Sequence, residues 1–204
     1  MKGLKEPLNI ILTGVGGQGN IIASGLVGIA ATMAGLKVTI GETYGASQRG
    51  GTVMSNIRIS LREDFGPLIP TGCGDIIVAF EPLEALRIVS EYGNSETKII
   101  VNNEPIYPLA VLMGESDYPA VNDILALLEK IVGDVITFNA TALAREAGDP
   151  RVLNMVMIKA LAVSGYLPFP ASYFDEALET FLQGLPSEKR EVNRRAMGVK
   201  VELF

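Results

Sequence analysis

Four glycines fall within six residues in GVGGQG, at Gly14, Gly16, Gly17 and Gly19, directly behind an apolar run over residues 8–13. An apolar run this short and rich in isoleucine reads as a buried strand, and glycine lets the backbone turn tightly and approach a neighbour closely. Gly14, Gly16 and Gly19 satisfy the spacing G-x-G-x-x-G between that strand and a helical segment over residues 19–35. A strand–turn–helix unit of this kind commits the chain to a sheet with helices on its faces, and its helix N-terminus offers N–H groups to an anion. Two readings stay open on spacing alone. The turn holds a dinucleotide, with Glu42 near the place of a ribose-binding acid, or it only packs a helix tightly onto a strand.

The rest of the chain extends the pattern. Residues 37–40, 53–61, 75–80, 98–101 and 135–138 read as strands, and VMSNIRISL alternates so that Arg58 points outward. Helices are expected from Glu81-Pro82 through Gly93, over residues 122–132, and in TALAREAG. In the first helix Ile22, Leu26, Ile29 and Met33 share one face, which predicts its buried side. From Asp149 onward only helical patterns appear: the apolar LNMVMIKAL, where Asn154 and Met155 read as core, then SYFDEALETFLQGL, then SEKREVNRRAMGVK. Ser172 and Ser187 are the expected caps of the last two, and Lys189, Arg190, Arg194 and Arg195 an expected solvated face with a Glu191–Arg195 pair. The expected architecture is one α/β, Rossmann-like domain over residues 1–204. It has a mainly parallel sheet flanked by helices and a helical C-terminal tail from about residue 149.

What is missing narrows the chemistry. The chain has no histidine and one cysteine, Cys73, which excludes an imidazole base, an internal disulfide and a four-thiolate cluster. Cys73 lies between glycines without a nearby cation and reads as inert. A net charge of −6 argues against nucleic acid as a partner. The start MKGLKEPLNIIL lacks the pattern of a secretion signal and no apolar stretch is long enough to span a bilayer, so no membrane partner and a cytoplasmic location are expected.

A second glycine-rich stretch, ETYGASQRGGTV over residues 42–53, carries Ser47, Arg49, Gly50 and Gly51. Arg49 could grip a phosphate or carboxylate in bidentate fashion, or bridge to a surface acid while the glycines make a hairpin. Asn102, Asn103 and Glu104, behind a strand, line the crevice at the strand ends or cap loops.

GVGGQG, ETYGASQRGGTV and DIIVAFEPLEALR (residues 75–87), in this order and spacing, resemble the gamma subunit family of 2-oxoacid:ferredoxin oxidoreductases. That family includes the small subunit of indolepyruvate ferredoxin oxidoreductase and the gamma chains of the pyruvate and 2-oxoglutarate enzymes. The resemblance runs from Asn9 to about Leu161. Tyr44 and Ala46 depart from the histidine and methionine of the indolepyruvate type, and Ser47-Gln48 from the pyruvate type, so the oxoacid stays open. The resemblance implies a complex that decarboxylates a 2-oxoacid on thiamine diphosphate and magnesium. Electrons pass through iron–sulfur clusters to ferredoxin, and the acyl group goes to coenzyme A. It implies alpha, beta and ferredoxin-like partner subunits, and a role for this chain as interface and coenzyme A shelf. The shelf residues would be Gly14, Gly16, Gly17, Gln18, Gly19, Ser47, Arg49, Gly50 and Gly51. No catalytic residue or metal is assigned to this chain, and an isolated copy is expected to pair with itself through surfaces otherwise covered. The rival expectations are an independent NAD(P)-binding oxidoreductase and a non-catalytic nucleotide or coenzyme A module.

Overall fold

The computed structural model of the chain describes residues 5–44 and 51–201. Its strands are β1 (Leu8–Val15), β2 (Lys37–Tyr44), β3 (Thr52–Ser60), β4 (Ile76–Ala79), β5 (Lys98–Asn102) and β6 (Asp134–Phe138). They form one six-stranded sheet in the order β2-β3-β1-β4-β5-β6. The pairs β1–β4, β4–β5 and β5–β6 are parallel, whereas β3 is antiparallel to both β1 and β2. Only β3 therefore runs against the others, and the sheet is mixed with a parallel majority. β4 and β5 are apolar on both faces because helices cover both.

α1 (Asn20–Met33), α5 (Ala140–Glu146) and α6 (Leu153–Val163) lie on one side of the sheet. α7 (Ser172–Leu182) packs outside α1, and α8 (Ser187–Met197) outside α6. α2 (Pro82–Tyr92) and α4 (Val121–Ile131) cover the other side. α3 (Leu109–Leu112) buries none of its residues. Enclosure by the sheet and its neighbours explains why α6 is apolar all round and buries Asn154 and Met155 with the rest.

The predicted face of α1 is corrected. Leu26 is buried, but Ile22 and Met33 are exposed and Ile29 only half-buried. The inward side is instead Ala23, Leu26, Val27, Ala30 and Ala31. α1 is squeezed between the sheet and the tail helices, and small side chains permit that approach. A Cβ on Gly28 would stand 2.9 Å from Ile40 Cδ1. The expected serine caps are corrected too. Pro186 and Ala171 occupy the cap positions without a side-chain bond, and Ser187 and Ser172 are the first helical residues. Nor does Arg195 pair with Glu191. Its Nε donates to the Ala147 carbonyl at 2.9 Å, because α8 sits against the end of α5, while Arg194 grips Glu179 at 2.9 and 2.7 Å.

Arg58 points away from the main core as its alternation predicts, yet it is not idle. Its Nε donates to Asn9 Oδ1 at 3.0 Å and Nη1 to the carbonyls of Gly66 and Leu68 at 3.0 and 3.1 Å, with the Phe65 ring centroid 5.0 Å away. It thus staples residues 65–68 over β3. Arg58→Ala is expected to cost about 1–2 kcal/mol in urea unfolding, with Arg58→Lys recovering little, because an ammonium lacks the planar fork.

Candidate functional site

β1 leads into α1 on one side of the sheet and β4 into α2 on the other, so the chain diverges between the carboxyl ends of β1 and β4. In open α/β sheets a crevice forms at such a point. The glycine turn sits on its edge. Gly17 and Gly19 have φ of 104° and 86°, in the left-handed region that side chains disfavour. The Gly16 amide donates to the Gly51 carbonyl at 2.9 Å and the Gln18 amide to Val15 at 3.1 Å. Gln18 Oε1 accepts from the Val15 amide at 2.6 Å, and its Nε2 donates to the Phe80 carbonyl at 3.0 Å. Gln18 therefore sutures the ends of β1 and β4. Gly14 makes room for it, since a Cβ there would lie 2.5 Å from Gln18 Oε1. Two turn amides are thus committed inside the protein. Among the described residues nothing accepts from the amides of Gly17 and Gly19.

The Gly16–Gly51 bond brings the end of the second glycine-rich stretch against the first. Ser47, Arg49 and Gly50 lie outside the described residues. Glu42 is corrected. Because β3 inserts between β1 and β2, Glu42 stands two strands from the turn, and its carboxylate accepts from the hydroxyls of Ser24 at 2.7 Å and Ser55 at 2.5 Å. It is spoken for by the fold, which removes the ribose acid of the nicotinamide reading.

Two hollows flank the divergence point. The first, about 300 Å³, is lined by Gly17, Gln18, Glu104, Thr141, Arg145 and Arg151, among others. Arg145 Nη2 lies 3.1 Å from Glu104 Oε1, and Arg151 grips Asp149, its Nη2 2.6 Å from Oδ2. The Asn139 amide, with Arg145, holds the Glu104 carboxyl below its ordinary range, and Arg151 does the same for Asp149. The second hollow, about 400 Å³, lies between the Val15–Gly51 edge and the start of α2 and includes Glu81, Glu84 and Tyr118. Glu81 caps α2, its Oε2 accepting from the Glu84 amide at 2.9 Å, and its Oε1 accepts from the Tyr118 hydroxyl. Burial, then the neighbouring Glu81 carboxylate, pushes the Tyr118 hydroxyl well above its ordinary value. Ile106 lines both hollows.

Of the other sequence candidates, Asn102 caps rather than lines. Its Nδ2 donates to the Phe80 carbonyl and to Thr141 Oγ1, both at 3.0 Å, and its Oδ1 accepts from Ala140 and Thr141 amides at 3.0 and 3.3 Å. Asn103 binds the Phe138 carbonyl through its amide. Only Glu104 reaches the first hollow. Arg145, Arg151, Glu84 and Tyr118 did not stand out in the sequence. The signal for the two arginines was positional, since they flank the connections that follow β6, at the same end of the sheet as the glycine turn. Among the described residues no three His, Cys, Asp or Glu side chains converge as a metal site.

The family described as pyruvate ferredoxin/flavodoxin oxidoreductase matches residues 9–199, and the chain belongs to it. Indolepyruvate oxidoreductase subunit IorB of Archaeoglobus fulgidus is 37% identical, covering 93% of this chain and 92% of the relative. The same subunit of Pyrococcus horikoshii is 38% identical, covering 94% of each. The solved gamma subunit of keto/oxoacid ferredoxin oxidoreductase from Geobacter sulfurreducens superposes with a TM-score of 0.61 at 23% identity, covering 93% of this chain and 94% of that one. A 2-oxoglutarate:ferredoxin oxidoreductase from Magnetococcus marinus, solved with coenzyme A bound, gives 0.71 at 22% identity. It covers 95% of this chain but 30% of that one. The chain is a gamma-type subunit of a 2-oxoacid:ferredoxin oxidoreductase complex.

Proposed function

We propose that this subunit holds part of coenzyme A at the divergence point, in a complex that oxidises an aromatic 2-oxoacid of the indolepyruvate kind. The carrying observation is the first hollow, where Gly17 and Gln18 of the turn meet the guanidinium groups of Arg145 and Arg151. A diphosphate needs donors fixed in space and a positive field. The Gly17 amide in the hollow, with the Gly19 amide and the first turn of α1 next to it, supplies donors. The two arginines, each paired with one carboxylate, supply cationic N–H groups that a diphosphate would compete for. Arg145 bonds Glu104 through Nη2 alone, which leaves guanidinium N–H groups for a phosphate. Gly14, Gly16 and Gly51 support the turn from behind, and Ser47, Arg49 and Gly50 belong to the same proposed shelf. The iron–sulfur clusters fall to the ferredoxin-like partner, since one cysteine cannot hold them here, and thiamine diphosphate with magnesium falls to the alpha and beta partners that the family resemblance implies.

The substrate class rests on the indolepyruvate relatives, alike over more than nine-tenths of both chains. The assembled complex is expected to reduce ferredoxin faster with indolepyruvate than with pyruvate or 2-oxoglutarate at equal concentration. A preference for either of the others overturns that choice of oxoacid. Arg145→Ala and Arg151→Ala should each raise the KM for coenzyme A by about tenfold, the equivalent of about 1.4 kcal/mol, and leave the KM for the oxoacid in place. An unchanged coenzyme A KM in the double variant would dispose of the shelf.

A further inference from the structure

We propose that the second hollow is a socket for a basic side chain, lysine or arginine, of a partner subunit in the same complex. The proposal rests on this chain being a subunit and is independent of where coenzyme A binds.

The socket is built around an unfinished cap. In a completed capping box the acid at the third helical position reaches back to the cap residue while the cap accepts the amide of that third position. α2 makes only half of this arrangement. Glu81 at the cap takes the Glu84 amide, but Glu84 Oε2 is buried and, among the described residues, has no hydrogen-bond partner. Glu84 is only 7% exposed. The nearest cation among the described residues, Arg87, keeps its Nε 3.7 Å from Glu84 Oε1, beyond hydrogen-bond reach. Glu81 is occupied by the Glu84 amide, the Tyr118 hydroxyl and the Ile106 amide. Among the described residues, two carboxyl groups thus face one distant guanidinium and the Thr52 hydroxyl, and one buried carboxylate oxygen lacks a donor. Burial accordingly pushes the Glu84 carboxyl up, against the opposing pull of Thr52 and Arg87. Left empty, the arrangement costs the free chain stability. A lysine ammonium or arginine guanidinium supplies both the donor and the charge.

The surroundings point to a polypeptide. Ile106, Tyr107 and Leu109 form the lip of the hollow, and Leu112 and Met113 continue it. These five large apolar side chains are 41–72% exposed and lie within eight residues. Such a strip is larger than a small cationic ligand would cover, and it fits apolar residues on either side of a basic anchor. In the similar Magnetococcus marinus protein the matching region is only 30% of the chain, so there this fold works joined to further protein.

Adding this chain to a complex that lacks it, and recording the concentration that half-restores ferredoxin reduction, tests the socket. Glu84→Gln keeps the shape and removes the charge. The expected result is a higher melting temperature for the free chain together with at least a tenfold rise in the half-restoring concentration. A smaller rise overturns the proposal, and so does any rise accompanied by a lower melting temperature, which assigns Glu84 to the fold. A photo-crosslinking residue in place of Leu112 gives the second readout. A covalent adduct with a partner subunit supports the socket, whereas an adduct only with another copy of this chain, or none, overturns it. The coenzyme A KM, read in the same assays, separates failure here from failure of the shelf.

Discussion

Asn102→Ala is expected to lower the unfolding free energy by about 3–4 kcal/mol and to loosen α5 first. The side chain is almost completely buried and ties the end of β5 to the end of β4 and the start of α5. Its Nδ2 reaches the Phe80 carbonyl behind β4, and its Oδ1 takes the amides of Ala140 and Thr141, the opening of α5. Phe80 keeps a second donor in Gln18 Nε2, so its carbonyl is not stranded by the substitution. The α5 amides have no such reserve, and losing an acceptor in a buried setting costs close to the full desolvation of the donor. Denaturant unfolding gives the magnitude. Hydrogen exchange gives the location, with α5 amides accelerating more than those of β1 or β4. Since α5 carries Arg145, the same variant should raise the coenzyme A KM without touching the hollow. Equal acceleration across the whole sheet would show that Asn102 is no local cap.

How far the residues foretell the architecture depends on whether a contact is local. The apolar runs that became β1, β4, β5 and β6, and the glycines between β1 and α1, are short-range signals, and each element formed where its pattern placed it. Pairing is not short-range. Nothing in VMSNIRISL states that β3 will wedge between β1 and β2 and draw Glu42 away from the turn. The misjudged face of α1 has a related cause. Periodicity finds where large apolar residues gather, but a helix pressed between a sheet and other helices turns its alanines inward. The larger Ile22 and Met33 are left outside.

Gln18 illustrates the limit at the site itself. As the one polar letter in GVGGQG it looked like a ligand contact, yet its amide group spans two strand ends and fills space that Gly14 leaves open. Arg145 and Arg151 went unnoticed for the opposite reason. Each looks like an ordinary surface arginine until β6 and the connection after it bring both beside Gly17. A crevice assembled from the ends of separate strands is legible only once strand order is known.

The opening ambiguity, ligand shelf or packing turn, is expected to resolve differently at Gly17 and Gly19. Gly19 has a left-handed φ of 86°, and a Cβ there would stand 2.6 Å from Asn154 Nδ2 and 3.0 Å from its Cγ. Backbone strain of about 1–2 kcal/mol and the forced displacement of a buried Asn154 together predict a loss of about 3–4 kcal/mol for Gly19→Ala. Asn154 cannot yield freely, because its Oδ1 holds the Met155 amide at 3.0 Å inside a fully packed α6. Adding Asn154→Ala should relieve the clash but not the strain, giving a coupling energy of about 1–2 kcal/mol in a double-mutant cycle. Gly17, which lines the first hollow, shares the left-handed φ, at 104°, but among the described residues nothing lies within 4 Å of its added Cβ. Gly17→Ala should therefore cost only the strain, about 1–2 kcal/mol, while raising the coenzyme A KM more than Gly19→Ala does. If the two variants lose equal stability, the Asn154 contact does not govern the turn. If Gly17→Ala leaves coenzyme A binding untouched, the glycines serve packing at both positions and the shelf lies elsewhere.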